Sequence, residues 1–177
     1  LITGRLRDQW HGMSRTGTAA RLFGHVSEAV LSLNPQDMLS HDLQPGDLVR
    51  LISRRGELLL PVGSEESVAV GQAFVPMHWG DRFLKGGINV LTQPAFDPVS
   101  KQPELKHAGV RIEKAHLPWQ FFALVEGNVQ QRMEKLRPLC ETFTYLSMGL
   151  AGRERPALVI RAASAEAPDS GLLQQPG

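Results

Sequence analysis

The stretch LITGRLRDQWHGMSRT, residues 1–16, combines a short apolar start with closely spaced glycines and arginines. Its first five residues predict a short strand, and the glycines that follow predict an extended loop whose backbone can approach a ligand closely. Residues 1–25 carry four arginines against a single acid, Asp8. Residues 1–25, here called the opening loop, therefore favour an anionic ligand.

Beyond this loop, short apolar runs alternate with glycine and proline turns. Asn34 before Pro35 is typical of a helix N-cap with proline at the first helical position, and it predicts one or two helical turns. Residues 44–47 predict a turn, and residues 53–56 predict the tip of a hairpin. Many short strands with little helix indicate a mainly β fold, either a barrel or a sandwich. The predicted strands cover residues 28–33, 48–52, 57–62, 73–77 and 109–113, and residues 80–107 are predicted to be mostly irregular.

Residues 118–165 follow a different pattern and are predicted to form a small α+β appendage. Asn128 is predicted to cap a helix that runs to about residue 141, with Pro138 ending or kinking it. The apolar residues at helical spacing in this helix, expected to face one way, are Val129, Met133, Leu136 and Cys140. Predicted strands cover residues 119–125 and 157–162, and residues 166–177 are predicted to be a disordered tail.

Composition excludes several classes of function. A formal net charge of +1 over 177 residues gives no positive field for nucleic acid or an anionic membrane. No apolar run approaches the roughly 20 residues needed to cross a bilayer. The single cysteine, Cys140, rules out an internal disulfide and is interpreted as a buried apolar residue. The six histidines are not spaced as metal ligands, and no hydrolase, Walker or zinc-protease motif is present, so neither a metal site nor a catalytic residue is predicted.

The order of residues in the opening loop carries a family resemblance. Thr3-Gly4-Arg5, one spacer, and then Arg7-Asp8-Gln9-Trp10-His11 resembles the start of the dinucleotide-binding domain of the dimethyl-sulfoxide-reductase family of molybdoenzymes, and within it the assimilatory nitrate reductase branch. Many other branches show His-Trp-His where this chain has Gln-Trp-His. The resemblance continues in register to about residue 115, through Asn34-Pro35-x-Asp37, Gly46-Asp47-x-Val49, Ser53-Arg54-Arg55-Gly56, Phe74-Val75-Pro76-Met77-His78-Trp79, Asn89-x-Leu91-Thr92, and Asp97-Pro98-x-Ser100-Lys101-x-Pro103-Glu104-x-Lys106.

The resemblance implies a six-stranded double-psi β-barrel over residues 1–117 and a bis-molybdopterin guanine dinucleotide cofactor. Pyrophosphates and polar pterin rings need backbone N–H groups, hydroxyls and guanidinium donors, which the opening loop offers. Further along, His78 matches a position where relatives place an aromatic residue or a histidine near the cofactor, Asn89 suits a pterin edge, and Lys106 matches a cofactor-contacting lysine. The predicted cofactor-binding residues are Thr3, Gly4, Arg5, Gln9, Trp10, His11, Gly12, His78, Asn89 and Lys106.

The family likeness also implies a function. The chain is expected to be the C-terminal cofactor-binding domain of a molybdenum oxidoreductase, an assimilatory nitrate reductase that reduces nitrate to nitrite in the cytoplasm. The start at Leu1 indicates a fragment, so the isolated chain is expected to be inactive, with the molybdenum ligand and an iron–sulfur cluster in the remaining domains of the parent. Two alternatives stay open: the same domain of another family member such as a formate dehydrogenase, and a free-standing double-psi barrel that binds a protein or a nucleotide without redox chemistry.

Overall fold

The computed structural model describes residues 1–152 and 154–168, so the predicted tail at 166–177 lies mostly outside the described residues. Six short strands form the first sheet: β1 (Ile2–Gly4), β2 (Leu31–Leu33), β3 (Leu48–Ser53), β4 (Glu57–Ser64), β5 (Ala73–Pro76) and β6 (Val110–Lys114). Their order in the sheet is β1-β5-β2-β4-β3-β6. The pairs β1/β5 and β2/β4 are parallel, and the other neighbours are antiparallel.

The sheet curls so that its two edges approach each other. The amino group of Leu1 donates to the carbonyl oxygen of Ala108 at 2.7 Å, and Thr3 Oγ1 donates to the carbonyl oxygen of Leu105 at 2.8 Å. Within the described residues, no strand ladder joins β1 to β6. The mainly β prediction is therefore confirmed as a curled sheet with few helices, and the closed double-psi topology stays a prediction.

The structure confirms the predicted hairpin and the predicted first helix. β3 and β4 form the predicted antiparallel hairpin. The helix α1 (Pro35–Ser40) begins after Asn34, whose side chain accepts a hydrogen bond from the backbone N–H of Gln36 at 2.9 Å. The extended loop predicted after β1 was wrong in part, because residues Thr16–Thr18 and Ala20–Phe23 form 3-10 turns. These turns bury Phe23, whose ring centroid lies 5.9 Å from that of Phe83.

Asn34→Ala is expected to lower the free energy of unfolding by about 1–2 kcal/mol, because Asn34 Oδ1 caps α1 and Asn34 Nδ2 donates to the carbonyl oxygen of Val68 at 2.8 Å. Urea denaturation followed by circular dichroism measures the change. Asn34→Asp keeps the capping oxygen and loses only the donor, so it should fall between the wild type and Asn34→Ala. An alanine variant as stable as the wild type would contradict the assignment of the cap.

A second sheet has three antiparallel strands, β7 (Trp119–Glu126), β8 (Tyr145–Ala151) and β9 (Ala157–Ser164), in the order β7-β9-β8. The helix α2 (Val129–Leu136) begins at the predicted cap Asn128 and continues as a 3-10 turn over Arg137–Glu141, where Pro138 prevents regular α-helix. Met133 and Cys140 are buried beneath it, as their spacing predicted. Of the three strands, β8 was not predicted from the sequence.

The two sheets share one hydrophobic core. Strand β8 makes backbone hydrogen bonds to the segment after β5: the N–H of Met148 donates to the carbonyl oxygen of Phe83 at 2.6 Å, and the N–H of Lys85 donates to that of Leu146 at 3.1 Å. Arg161 on β9 donates to the carbonyl oxygen of Gly46 at 2.9 Å. The second sheet thus supports the segment that leads to residues 86–89, one wall of the groove described next.

Candidate functional site

An open groove of about 1070 Å³ runs between the opening loop and the irregular segment 77–105. The segment folds this way because glycine and proline turns break its backbone after β5. Four of the predicted site residues reach the groove from two distant parts of the chain: His11, Gly12, His78 and Asn89. The groove is further lined by Arg55, Met77, Trp79, Gly80, Asp81, Gly86, Gly87, Ile88, Thr92, Gln93, Pro94, Ala95, Phe96, Lys101, Pro103 and Leu105.

Backbone forms part of the groove wall. Gly87 has φ +62, and a Cβ atom there would lie 3.0 Å from the backbone nitrogen of Asp81. Only glycine accepts both the positive φ and this close approach without strain. Gly87 therefore lets the backbone of residues 80–81 pack directly against it, which fixes the course of this part of the groove wall.

The groove carries more positive than negative charge among its lining residues. Arg55, at the tip of the β3–β4 hairpin, donates through Nη1 to the carbonyl oxygen of Thr92 at 3.3 Å. Lys101 Nζ lies 5.4 Å from the ring centroid of Phe96, and Asp81 is the one acid in the lining set. An arginine and a lysine beside glycine-rich backbone suit a phosphate or another polar anion. Arg55 and Lys101 were not among the predicted cofactor-binding residues, although both lie in motifs that carried the family resemblance.

Three predicted residues of the opening loop are exposed, and Arg5 and His11 both lie against Trp10. Trp10 is 50% exposed. The guanidinium carbon of Arg5 lies 5.8 Å from its ring centroid, and the ring of His11 meets it edge-on with centroids 4.7 Å apart. This cluster offers an aromatic face, a guanidinium and an imidazole next to the groove residue Gly12.

Three other predicted residues of this loop act inside the fold. Thr3 is buried and holds Leu105 through its hydroxyl. Gly4 lies against the ring of Phe74, where a Cβ atom would be 2.6 Å from Cε2. Gln9 is buried: its Oε1 accepts from Thr16 Oγ1 at 2.7 Å, and its Nε2 donates to the carbonyl oxygen of Leu22 at 3.2 Å. These side chains shape the loop.

His78 is fully buried, and both of its ring nitrogens are hydrogen-bonded to the opening loop. Nε2 accepts from the backbone N–H of Leu6 at 2.8 Å, and Nδ1 lies 2.6 Å from the carbonyl oxygen of His11. Burial lowers the pKa of His78, the hydrogen bond to His11 opposes this, and the positive charge of Arg5 lowers the pKa further. The neutral imidazole is thus the form that fits.

Asn89 and Lys106 differ in their position relative to the groove. Asn89 is exposed within the groove and is the second residue of the 3-10 turn Ile88–Leu91. Lys106 is exposed outside the lining set, and its backbone N–H donates to Glu104 Oε1 at 2.7 Å. Its neighbour Leu105 lines the groove. The structure therefore brings Asn89 together with the opening loop and leaves the Lys106 side chain at the margin.

A family model described as the molydopterin dinucleotide binding domain matches residues 1–109. The chain belongs to this family. The match covers β1 to β5, the opening loop and the whole groove, and it confirms the resemblance seen in the motifs.

Two curated proteins align in sequence with this molydopterin dinucleotide binding domain protein. A nitrate reductase of Klebsiella oxytoca is 41% identical over 162 residues, which cover 90% of this chain and 19% of the relative. The alpha subunit of an F420-dependent formate dehydrogenase of Methanocaldococcus jannaschii is 37% identical over 114 residues, which cover 64% of this chain and 16% of the relative. The chain thus spans less than a fifth of the curated relatives that it matches.

A solved structure supports the fold of this domain. Acetylene hydratase from Pelobacter acetylenicus superposes with a TM-score of 0.50 at 18% sequence identity, over 65% of this chain and 18% of that chain. At this identity the likeness concerns the fold alone.

Neither a metal-binding cluster nor a membrane-spanning helix is found among the described residues. Among residues 1–152 and 154–168, no three side chains of the His, Cys, Asp and Glu types gather as a metal site. Cys140 is buried, as predicted, and burial raises the pKa of its thiol. No helix in the described ranges has the length and apolarity that crossing a bilayer requires.

Proposed function

We propose that the chain binds a molybdopterin guanine dinucleotide in the groove between the opening loop and residues 77–105, as one part of a molybdenum oxidoreductase. The observation that carries this proposal is the convergence of His11, Gly12 and Asn89 with two cations in one groove of about 1070 Å³. A large, polar, anionic ligand needs such a combination of backbone, amide and guanidinium donors. The proposal also includes the closed double-psi topology for the curled six-stranded sheet.

Each part of the groove has a role in the proposal. Arg55 and Lys101 hold the pyrophosphate by charge-assisted hydrogen bonds. Asn89 uses its amide donor and acceptor on the edge of a pterin or guanine ring. The exposed Trp10, with Arg5 over its face, packs against a flat part of the ligand. Gly87 lets the backbone at Gly80 and Asp81 pack closely, which shapes the wall that the ligand faces.

The parent enzyme is proposed to reduce nitrate to nitrite, with assimilation in the cytoplasm as its setting. When bound, the cofactor supplies the two-electron chemistry of molybdenum, and this chain orients and encloses it. The metal ligand, the iron–sulfur cluster and the second half of the pocket belong to other domains in this proposal. The nitrate reductase alignment supports it, because 162 aligned residues extend into the second sheet, beyond the region that the family model matches.

A formate dehydrogenase is the second candidate, on the strength of the 37% identical relative. The two candidates differ in the reaction of the full-length enzyme. Nitrate reduction with a reduced viologen dye, measured beside formate oxidation with an oxidised dye, discriminates them directly. Formate turnover without nitrate turnover would replace the first candidate by the second.

Arg55→Ala, made in the full-length enzyme, is expected to weaken cofactor retention about tenfold or more, since a hydrogen bond from a charged donor contributes about 1.5–3 kcal/mol. Molybdopterin released by denaturation is quantified by fluorescence after oxidation. Arg54→Ala is the matched control, because Arg54 is the exposed neighbour outside the lining set. Arg5→Ala and Asn89→Ala should lower the cofactor content too. Full cofactor loading in all three test variants would remove the groove from the binding site.

A further inference from the structure

The imidazole of His78 connects two points of the opening loop. Met77 directly follows β5, and its N–H donates to the carbonyl oxygen of Gly4 at 2.8 Å, which extends the pairing of β5 with β1. His78 is the next residue, and its ring is hydrogen-bonded to the backbone of Leu6 and of His11. Those two residues bracket the part of the loop that holds Gln9 and Trp10.

The two hydrogen bonds fix the tautomer. A backbone N–H can only donate, so Nε2, which faces Leu6, carries no proton. A carbonyl oxygen can only accept, so Nδ1 carries the proton and donates it to His11. The loop therefore needs a group with an acceptor on one side and a donor on the other, and neutral imidazole supplies both.

We propose that His78 is a positioning residue: it sets the shape of the cofactor-binding loop through Leu6 and His11, while its own nitrogens make no contact with the ligand. The inference rests on the proposed function only in naming the ligand a cofactor. The two hydrogen bonds that join His78 to Leu6 and His11, here called the clamp, do not depend on that proposal. This positioning role revises the expectation that His78 binds the cofactor directly, because both ring nitrogens are already occupied.

The clamp is sensitive to acid. A second proton on the ring turns Nε2 into a donor that faces the N–H donor of Leu6, and the hydrogen bond is lost. The charged and titratable groups that face the ring are Arg5 and His11, and both disfavour a positive charge on it. Since burial holds the pKa of His78 below its ordinary value near 6.5, the clamp is complete above that pH and is lost progressively as the pH falls below it.

Hydrogen exchange of the Leu6 amide tests the clamp in the full-length enzyme. In His78→Gln the side-chain oxygen replaces the Nε2 acceptor, and in His78→Asn the amide nitrogen replaces the Nδ1 donor. We expect the Leu6 protection factor to stay near the wild-type value in His78→Gln and to fall about tenfold in His78→Asn. Wild-type protection should show an acid step that His78→Gln lacks, although His11 is present in both.

Cofactor content, measured in the same preparations, separates the two proposals. It should fall more in His78→Asn than in His78→Gln. Equal Leu6 protection in both variants, or an acid step retained in His78→Gln, overturns the clamp whether or not molybdopterin is bound. Cofactor content unchanged in His78→Asn despite lost Leu6 protection overturns its positioning role. A wild-type enzyme that holds no molybdopterin refutes the proposed function instead, while its exchange profile still decides on the clamp.

Discussion

Gly149→Ala is expected to lower the free energy of unfolding by about 3 kcal/mol, at the upper end of overpacking effects. Gly149 lies in the middle of β8, and a Cβ atom there would overlap the carbonyl oxygen of Ser27. The overlap involves backbone on both sides, so no side-chain rotation relieves it. The substitution forces β8 away from the segment that follows Phe23, and with it the second sheet from the first.

Thermal unfolding is the simplest measurement for this variant. A loss of 3 kcal/mol corresponds to a decrease in Tm of roughly 6–12 °C for a chain of this size. Gly109→Ala is the matched control, because a Cβ atom at Gly109 meets nothing within 4 Å and its φ is not positive. Similar Tm values for the two variants would mean that β8 does not pack against residue 27 as described.

Trp79→Ala is expected to cost about 3–5 kcal/mol of stability, the range for removing a large buried aromatic side chain. The side chain of Trp79 is fully buried, and its carbonyl oxygen accepts from the N–H of Ile88 at 3.0 Å. Because Trp79 also lines the groove, the cavity left behind should deform the wall that carries Asn89. Both stability and cofactor retention should therefore fall.

Trp10→Ala provides the contrast. Trp10 is 50% exposed, so its removal should change the free energy of unfolding by less than about 1 kcal/mol and should lower the cofactor content. Urea denaturation and molybdopterin quantification in the same two variants measure both effects. Equal losses of stability in Trp10→Ala and Trp79→Ala would contradict the burial that separates them.

Local interactions explain what could be predicted of the fold. The cap at Asn34, the β3–β4 hairpin and the change of helix type at Pro138 depend on neighbours a few residues away. Strand β8 escaped prediction because nearly all its side chains are buried, which removes the apolar–polar alternation that marks a half-exposed strand. Its sequence also holds Ser147 and Gly149, which are poor indicators of a strand.

The sequence predicted part of the candidate groove. Of the predicted residues, His11 and Gly12 from the opening motif meet His78 and Asn89 in the groove, whereas the other six are not among its lining residues. Motifs could not tell that Gln9 and His78 face the loop itself, since that follows from contacts such as the one between Leu6 and His78, which are 72 positions apart. The place of Arg55 in the groove depends on the hairpin lying beside Thr92, a tertiary contact that no local pattern encodes.

The pairing of β1 with β5 has a consequence for the order of events during folding. Ile2–Gly4 pairs with residues 74–76, and Leu1 reaches Ala108, 107 positions away. Such contacts close large loops of chain, so they form late and slowly compared with a hairpin. We therefore expect β1, which anchors the first dozen residues, to dock after the β3–β4 hairpin has formed. Under the proposed function, the groove is complete only once residues 2–4 have paired with β5, so cofactor loading is expected to follow synthesis of this region.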